Sequence, residues 1–127
     1  MRHAVGHDLG IDIEVNRPLP QGVARLILSE QEQQSIRRSD PRLAAETLLR
    51  LFCAKEALYK AIYPLVRCAL SLNALTVERS TRNEGFVARL GTEVGPFPKD
   101  VLLEGRWAMR RGHVAAAVVI GRCFLAG

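Results

Sequence analysis

Three features of this 127-residue chain predict an α+β fold, with helices packed on one face of a mainly antiparallel sheet. Residues Leu9–Val15 alternate strictly between apolar and other side chains, the period of a half-buried strand. Leu48–Tyr63 is rich in good helix formers and contains neither Gly nor Pro. After Pro64 the pattern changes to four short strand-like runs separated by turn residues. Strands joined by short turns, with the helices segregated from them, make a single layer of helices on a sheet.

In chain order, the first strand places Leu9, Ile11, Ile13 and Val15 on the expected core face. Asp12 and Glu14 project together from the other face, about 7 Å apart along the strand. Asn16-Arg17-Pro18-Leu19-Pro20 ends it. Ser29-Glu30-Gln31-Glu32 has the spacing of a capping box and opens a short helix to about Arg38. Asp40-Pro41 supplies an N-cap and a proline at the first helical position of a long helix, which Pro64 is expected to stop. Strands are expected over Ala74–Arg79, Gly85–Leu90, Leu102–Arg110 and His113–Ile120. The segments Arg82–Gly85, Gly91–Pro98 and Arg111-Gly112 form the turns between them. Val114–Ile120, nearly all aliphatic, reads as a central strand buried on both faces.

On the long helix, Leu48, Leu51, Phe52, Leu58, Tyr59 and Ile62 share one apolar stripe. Lys55 falls in its middle, Glu56 at its edge and Lys60 one turn beyond. An ammonium on a core face must snorkel out, find a partner or meet an anionic ligand, because an unpaired buried charge is expensive. The other charged positions have plainer readings. Alternating acids ordinarily mark a strand's solvent side, and Glu56 with Lys60 forms an i,i+4 pair worth about 0.2–0.5 kcal/mol on a helix surface.

The length suits one domain, residues 1–127, and there are no internal repeats or low-complexity tracts. A net charge of +5 favours acidic or phosphate-bearing partners. Arg37-Arg38 and Arg110-Arg111 are the basic doublets, and neither is interleaved with aromatics, which argues against a nucleic-acid platform. Cys53, Cys68 and Cys123 show no CxxC pair and no metal-like spacing with the histidines, as expected of reduced thiols in a cytoplasmic protein. The N-terminus lacks the apolar core of a signal peptide, and Val114–Ile120 is too short to span a bilayer. Two carboxylates on a strand face and one from a facing helix would make an oxygen-rich cluster suited to Mg²⁺, with nearby lysines to neutralise phosphate charge.

Gly10-Ile11-Asp12-Ile13-Glu14, followed downstream by Phe52-Cys53-Ala54-Lys55-Glu56-Ala57-Leu58-Tyr59-Lys60-Ala61, resembles the 4′-phosphopantetheinyl transferase superfamily. The match is to the G-I-D-I-E and [FW]-[SC]-x-K-E-[AS]-x-x-K-A motifs of its larger class, which activates siderophore and surfactin synthetases. The resemblance implies Mg²⁺-dependent transfer of the phosphopantetheine arm of coenzyme A to a serine of an acyl, peptidyl or aryl carrier protein, releasing 3′,5′-ADP. By resemblance, Asp12, Glu14 and Glu56 match the metal ligands, and Lys55 and Lys60 the basic residues near the coenzyme A phosphates. Glu32 aligns with a glutamate that helps deprotonate the serine, although its capping-box role explains it equally well. The implied catalytic set is therefore Glu56, Lys55 and Glu32, and the implied coenzyme A and metal contacts are Asp12, Glu56, Lys55 and Lys60.

The larger class has two similar halves in one chain with the active site between them, and this sequence resembles only the second half. A smaller class of this subunit length forms trimers, but its Ser-Ile-Ser-His before the last strand is absent here. Three arrangements stay open: a piece of a two-half enzyme, a chain that self-associates to rebuild the site, and an inactive remnant. A different class of function is also open, a non-catalytic basic module that binds carrier protein or nucleic acid. A half should expose an apolar docking surface, for which the small face Ala54, Ala57 and Ala61 is a candidate.

Overall fold

The structure, a computed structural model, describes residues 7–67, 69–80 and 84–121. Cys68, Cys123, His3 and the Arg82 and Asn83 positions of one expected turn lie outside the described residues, as does the side chain of His7. The chain runs β1 (His7–Val15), α1 (Val23–Ile27), α2 (Glu30–Arg37), α3 (Pro41–Val66), a 3₁₀ turn (Leu72–Ala74), β2 (Leu75–Arg79), β3 (Gly85–Leu90), β4 (Leu102–Arg110) and β5 (His113–Gly121). The strands form one sheet in the order β1-β5-β4-β3-β2, and every neighbouring pair is antiparallel. This is the expected α+β architecture.

Local chemistry sets the element ends. The Ser29 hydroxyl accepts from the Glu32 N–H at 3.3 Å, while the Glu32 carboxylate accepts from the Ser29 N–H at 2.8 Å, so the capping box forms in full. Asp40 accepts from the Arg42 N–H at 2.8 Å and Pro41 begins α3. Pro64 does not stop α3, which continues to Val66. Pro64 has no N–H and so gives up one intrahelical bond, and α3 runs only two residues beyond it. Arg67, at φ 53, then closes the helix with its N–H on the Tyr63 carbonyl at 2.7 Å. Arg111 and Gly112, both at positive φ, make the two-residue turn between β4 and β5. The helix α1 was not legible in the periodicity, because five residues are too few to show one.

Helix α3 lies across β1 and β5, and close contact there depends on Gly10. A Cβ on Gly10 would stand 1.9 Å from the Ala57 carbonyl oxygen and 2.7 Å from the Ala61 nitrogen. Ala54, Ala57 and Ala61 are wholly buried within the chain. The small face expected to receive a partner is therefore the seam between the protein's own helix and sheet.

The seam reverses the expected orientation of β1. Gly10, Asp12 and Glu14 face α3, and Asp12 is only 7% exposed. Leu9, Ile11, Ile13 and Val15, expected in the core, lie on the opposite face and are 58%, 47%, 63% and 47% exposed. Alternation identifies two faces but not which one the helix covers, and the glycine decides it by letting the helix approach. The expected burial of β5 on both faces is corrected in the same way. Val114, Ala116, Val118 and Ile120 are buried under α3, whereas Ala115 and Ala117 are half-buried and Val119 is exposed. Nor is β5 the middle strand, since it lies second from the edge between β1 and β4.

Candidate active site

The reversal of β1 directs two carboxylates toward α3, which contributes a third carboxylate and a lysine one turn apart. Lys60 Nζ donates to Asp12 Oδ1 at 3.0 Å and to the Ile11 carbonyl at 3.1 Å. The other oxygen of Asp12, Oδ2, is buried and has no hydrogen-bond donor. Glu14 is its close neighbour, but a second carboxylate can donate only when protonated. Burial, a hydrogen bond to Asp12 and the charges of Asp12 and Glu56 push Glu14 up to about 7, against the opposing pull of Lys60. Glu56 is also raised, by burial and then by the Asp12 charge. Lys60 is raised, first by its hydrogen bond to Asp12 and further by the surrounding carboxylates. Four of the expected site residues, Asp12, Glu14, Glu56 and Lys60, therefore form one interacting group.

Whether these residues fit a divalent cation depends on the donor set. The Asp12 charge raises the proton affinity of Glu14 and Glu56, and one buried oxygen lacks any donor, so the group is short of positive charge. Hard oxygen ligands of this kind suit Mg²⁺. Among the described residues, no three His, Cys, Asp or Glu side chains stand as a ready-made metal-binding group, and the cation paired with Asp12 is Lys60.

Lys55 and Glu32 are placed elsewhere. Lys55 is wholly buried, and its ammonium donates to Glu32 Oε1 at 2.5 Å and to the carbonyls of Ile27, Leu75 and Leu72 at 2.6, 2.6 and 3.1 Å. Glu32 in turn accepts from the Val77 N–H at 2.6 Å with its second oxygen. Burial lowers the Lys55 pKa and the Glu32 charge opposes that shift. Of the three outcomes open to an ammonium in an apolar stripe, Lys55 finds a partner. The structure does not bring the pair to the acid cluster, and it leaves neither group free for a coenzyme A phosphate or a serine proton.

Cys53 lies in the helix–sheet seam beside the acid cluster. Its thiol is buried within 3.3 Å of the Asp12 carbonyl and 3.4 Å of the Val114 carbonyl. Burial, and then the Asp12 charge, push it far above the ordinary thiol range, so it stays protonated as a weak donor across the helix–sheet seam. An isolated glycine inside a strand, such as Gly10, is the sequence signal of a close backbone approach of this kind.

The model of the 4′-phosphopantetheinyl transferase superfamily matches residues 8–118. The chain belongs to that superfamily. It is 34% identical over 118 residues to the 4′-phosphopantetheinyl transferase PptT of Mycobacterium tuberculosis, covering 88% of this chain and 52% of that protein. It is also 34% identical over 125 residues to the transferase Svp of Streptomyces mobaraensis, covering 94% and 50%. This member of the superfamily thus spans about half the length of the curated relatives it matches. Among solved structures, a holo-ACP synthase from Plasmodium yoelii shares the fold at 17% identity and a TM-score of 0.62, covering 90% of this chain and 95% of that one. A holo-[acyl-carrier-protein] synthase from Thermotoga maritima shares it at 20% identity and a TM-score of 0.61, covering 91% and 63%.

Proposed function

We propose that this chain forms one wall of a 4′-phosphopantetheinyl transferase site. The enzyme moves the phosphopantetheine arm of coenzyme A to a serine hydroxyl of an acyl, peptidyl or aryl carrier protein and releases 3′,5′-ADP. One observation carries the reading: both motif segments converge, Asp12 and Glu14 from β1 and Glu56 and Lys60 from α3, around a buried carboxylate oxygen with no partner. Asp12, Glu14 and Glu56 would hold Mg²⁺, which when bound neutralises charge on the diphosphate. Lys60 offers an ammonium to the phosphate oxygens. As the serine Oγ bonds to phosphorus, the diphosphate P–O bond breaks and 3′,5′-ADP departs with the bridging oxygen. The serine proton passes, directly or through water, to a carboxylate of the cluster. In this reading Lys55 and Glu32 act on the frame of the site and not on the substrate. The setting is cytoplasmic and the pathway secondary metabolism, siderophore assembly included. The net charge of +5 favours association with acidic carriers.

The exposed row Leu9, Ile11, Ile13 and Val15, beside Val119 on β5, is the face that a first half or a second copy of the chain would cover. The half-length match to two-fold longer relatives favours such a partner. The test is to incubate the protein with coenzyme A, Mg²⁺ and apo-carrier proteins, then weigh the carrier, alone and with the first half of a relative supplied. A mass gain that Asp12→Asn and Glu56→Gln abolish supports the reading. No gain in either arrangement would leave a non-catalytic carrier-binding module.

A further inference from the structure

We infer that Lys60 is the resident counter-ion of the acid cluster, and that a divalent cation binds there by displacing it and freeing its ammonium for the substrate's phosphates. The inference rests on the transferase reading above and adds an order of events to it. The two partners differ in their freedom. The side chain of Asp12 is 8% exposed and fixed between β1 and α3, whereas that of Lys60 is 52% exposed and reaches in from the surface. Lys60 can therefore leave without unpacking anything, and Asp12 cannot.

One ammonium also satisfies the cluster incompletely. Its two hydrogen bonds go to Asp12 Oδ1 and the Ile11 carbonyl, while Asp12 Oδ2 stays buried without a donor. With all three carboxylates ionised the group carries −3; Lys60 offsets one of these charges, and a divalent cation in its place offsets two. Both cations need the same Asp12 carboxylate, and two positive charges on it would repel. Lys55 cannot take over as counter-ion, because it is enclosed with Glu32. Binding thus exchanges one cation for another at Asp12, and the released ammonium lies one helical turn from Glu56, beside the site the phosphates would enter.

Mn²⁺ titration followed by electron paramagnetic resonance tests this on the whole chain. Wild type is expected to bind, and Asp12→Asn is expected to lose binding. Lys60→Met, which removes the competitor, should bind about two- to fivefold tighter, the range of a partly exposed ion pair. Lys60→Arg, which keeps it, should stay near wild type. Displacement itself is read by acylating the lysines and counting labels by mass spectrometry. Saturating Mg²⁺ should speed labelling of Lys60 and leave Lys99 unchanged, with Lys55 unlabelled throughout. If wild type binds Mn²⁺ and Lys60→Met binds no tighter, or Lys60 labelling does not rise, displacement is wrong and the metal site stands. If neither protein binds Mn²⁺, the metal site falls and displacement with it.

Discussion

Lys55 shows what a charge in the middle of an apolar helix stripe can accomplish without meeting a ligand. Its ammonium holds the end of α1, the start of β2, the 3₁₀ turn and, through Glu32, the start of α2 against α3. Removing one member of such a pair leaves the other buried and uncompensated. Lys55→Met should therefore lower unfolding free energy by about 3–5 kcal/mol, and Lys55→Met with Glu32→Gln should recover part of that loss. Urea denaturation measures both, and a loss in the single variant no larger than in the double would refute a paired charge. Glu14 supplies a pH dependence of definite sign. Its pKa is raised from 4.5 to about 7 in the fold, so between those values the folded protein keeps a proton that the unfolded chain has released. The stability from this group is complete below 4.5 and is lost as pH rises through 7. Melting of the metal-free protein should fall across this window, and fall less in Glu14→Gln. An unchanged slope in the variant would show that another group is responsible.

At the scale of elements, the seam between α3 and β1 is the tightest feature of the fold. A methyl group on Gly10 meets backbone on the helix, which cannot rotate away as a side chain can. Gly10→Ala should therefore cost at least as much as ordinary overpacking, about 1–3 kcal/mol, and should separate Asp12 from Lys60 as the helix is pushed outward. Circular dichroism melting measures the first effect and Mn²⁺ binding the second; a variant normal in both would mean that the seam opens freely. This seam also explains what was legible in the sequence. The strands after Pro64, the capping box and the start of α3 were readable because each depends on neighbours in the chain. The grouping of Asp12, Glu14, Glu56 and Lys60 was favoured by motif resemblance, since spacing alone pointed more to solvent-facing acids. The destination of Lys55 was not readable, because its partner Glu32 lies 23 residues away in another helix. The facing of β1 was misread because its apolar face is the one the chain leaves uncovered.

For the whole molecule, that uncovered face is the main departure from a self-sufficient domain. A strand ordinarily turns its apolar side inward, and β1 turns outward four large aliphatic side chains that continue onto Val119 of β5. Arg106 and Ala108 of β4 extend the same face beyond Ala117 and Ala115, so the surface is a broad sheet face and not a single exposed edge. If a second half or second copy covers it, substitutions there should separate folding from assembly. Ile11→Glu with Ile13→Glu places charges at solvated positions and should change monomer stability by no more than about 0.5 kcal/mol. The same pair should abolish self-association, or association with a supplied first half, when followed by analytical ultracentrifugation. It should remove carrier modification in parallel, although neither residue belongs to the acid cluster. A double variant that assembles and transfers like wild type would show that the apolar face is incidental and that the missing wall docks elsewhere.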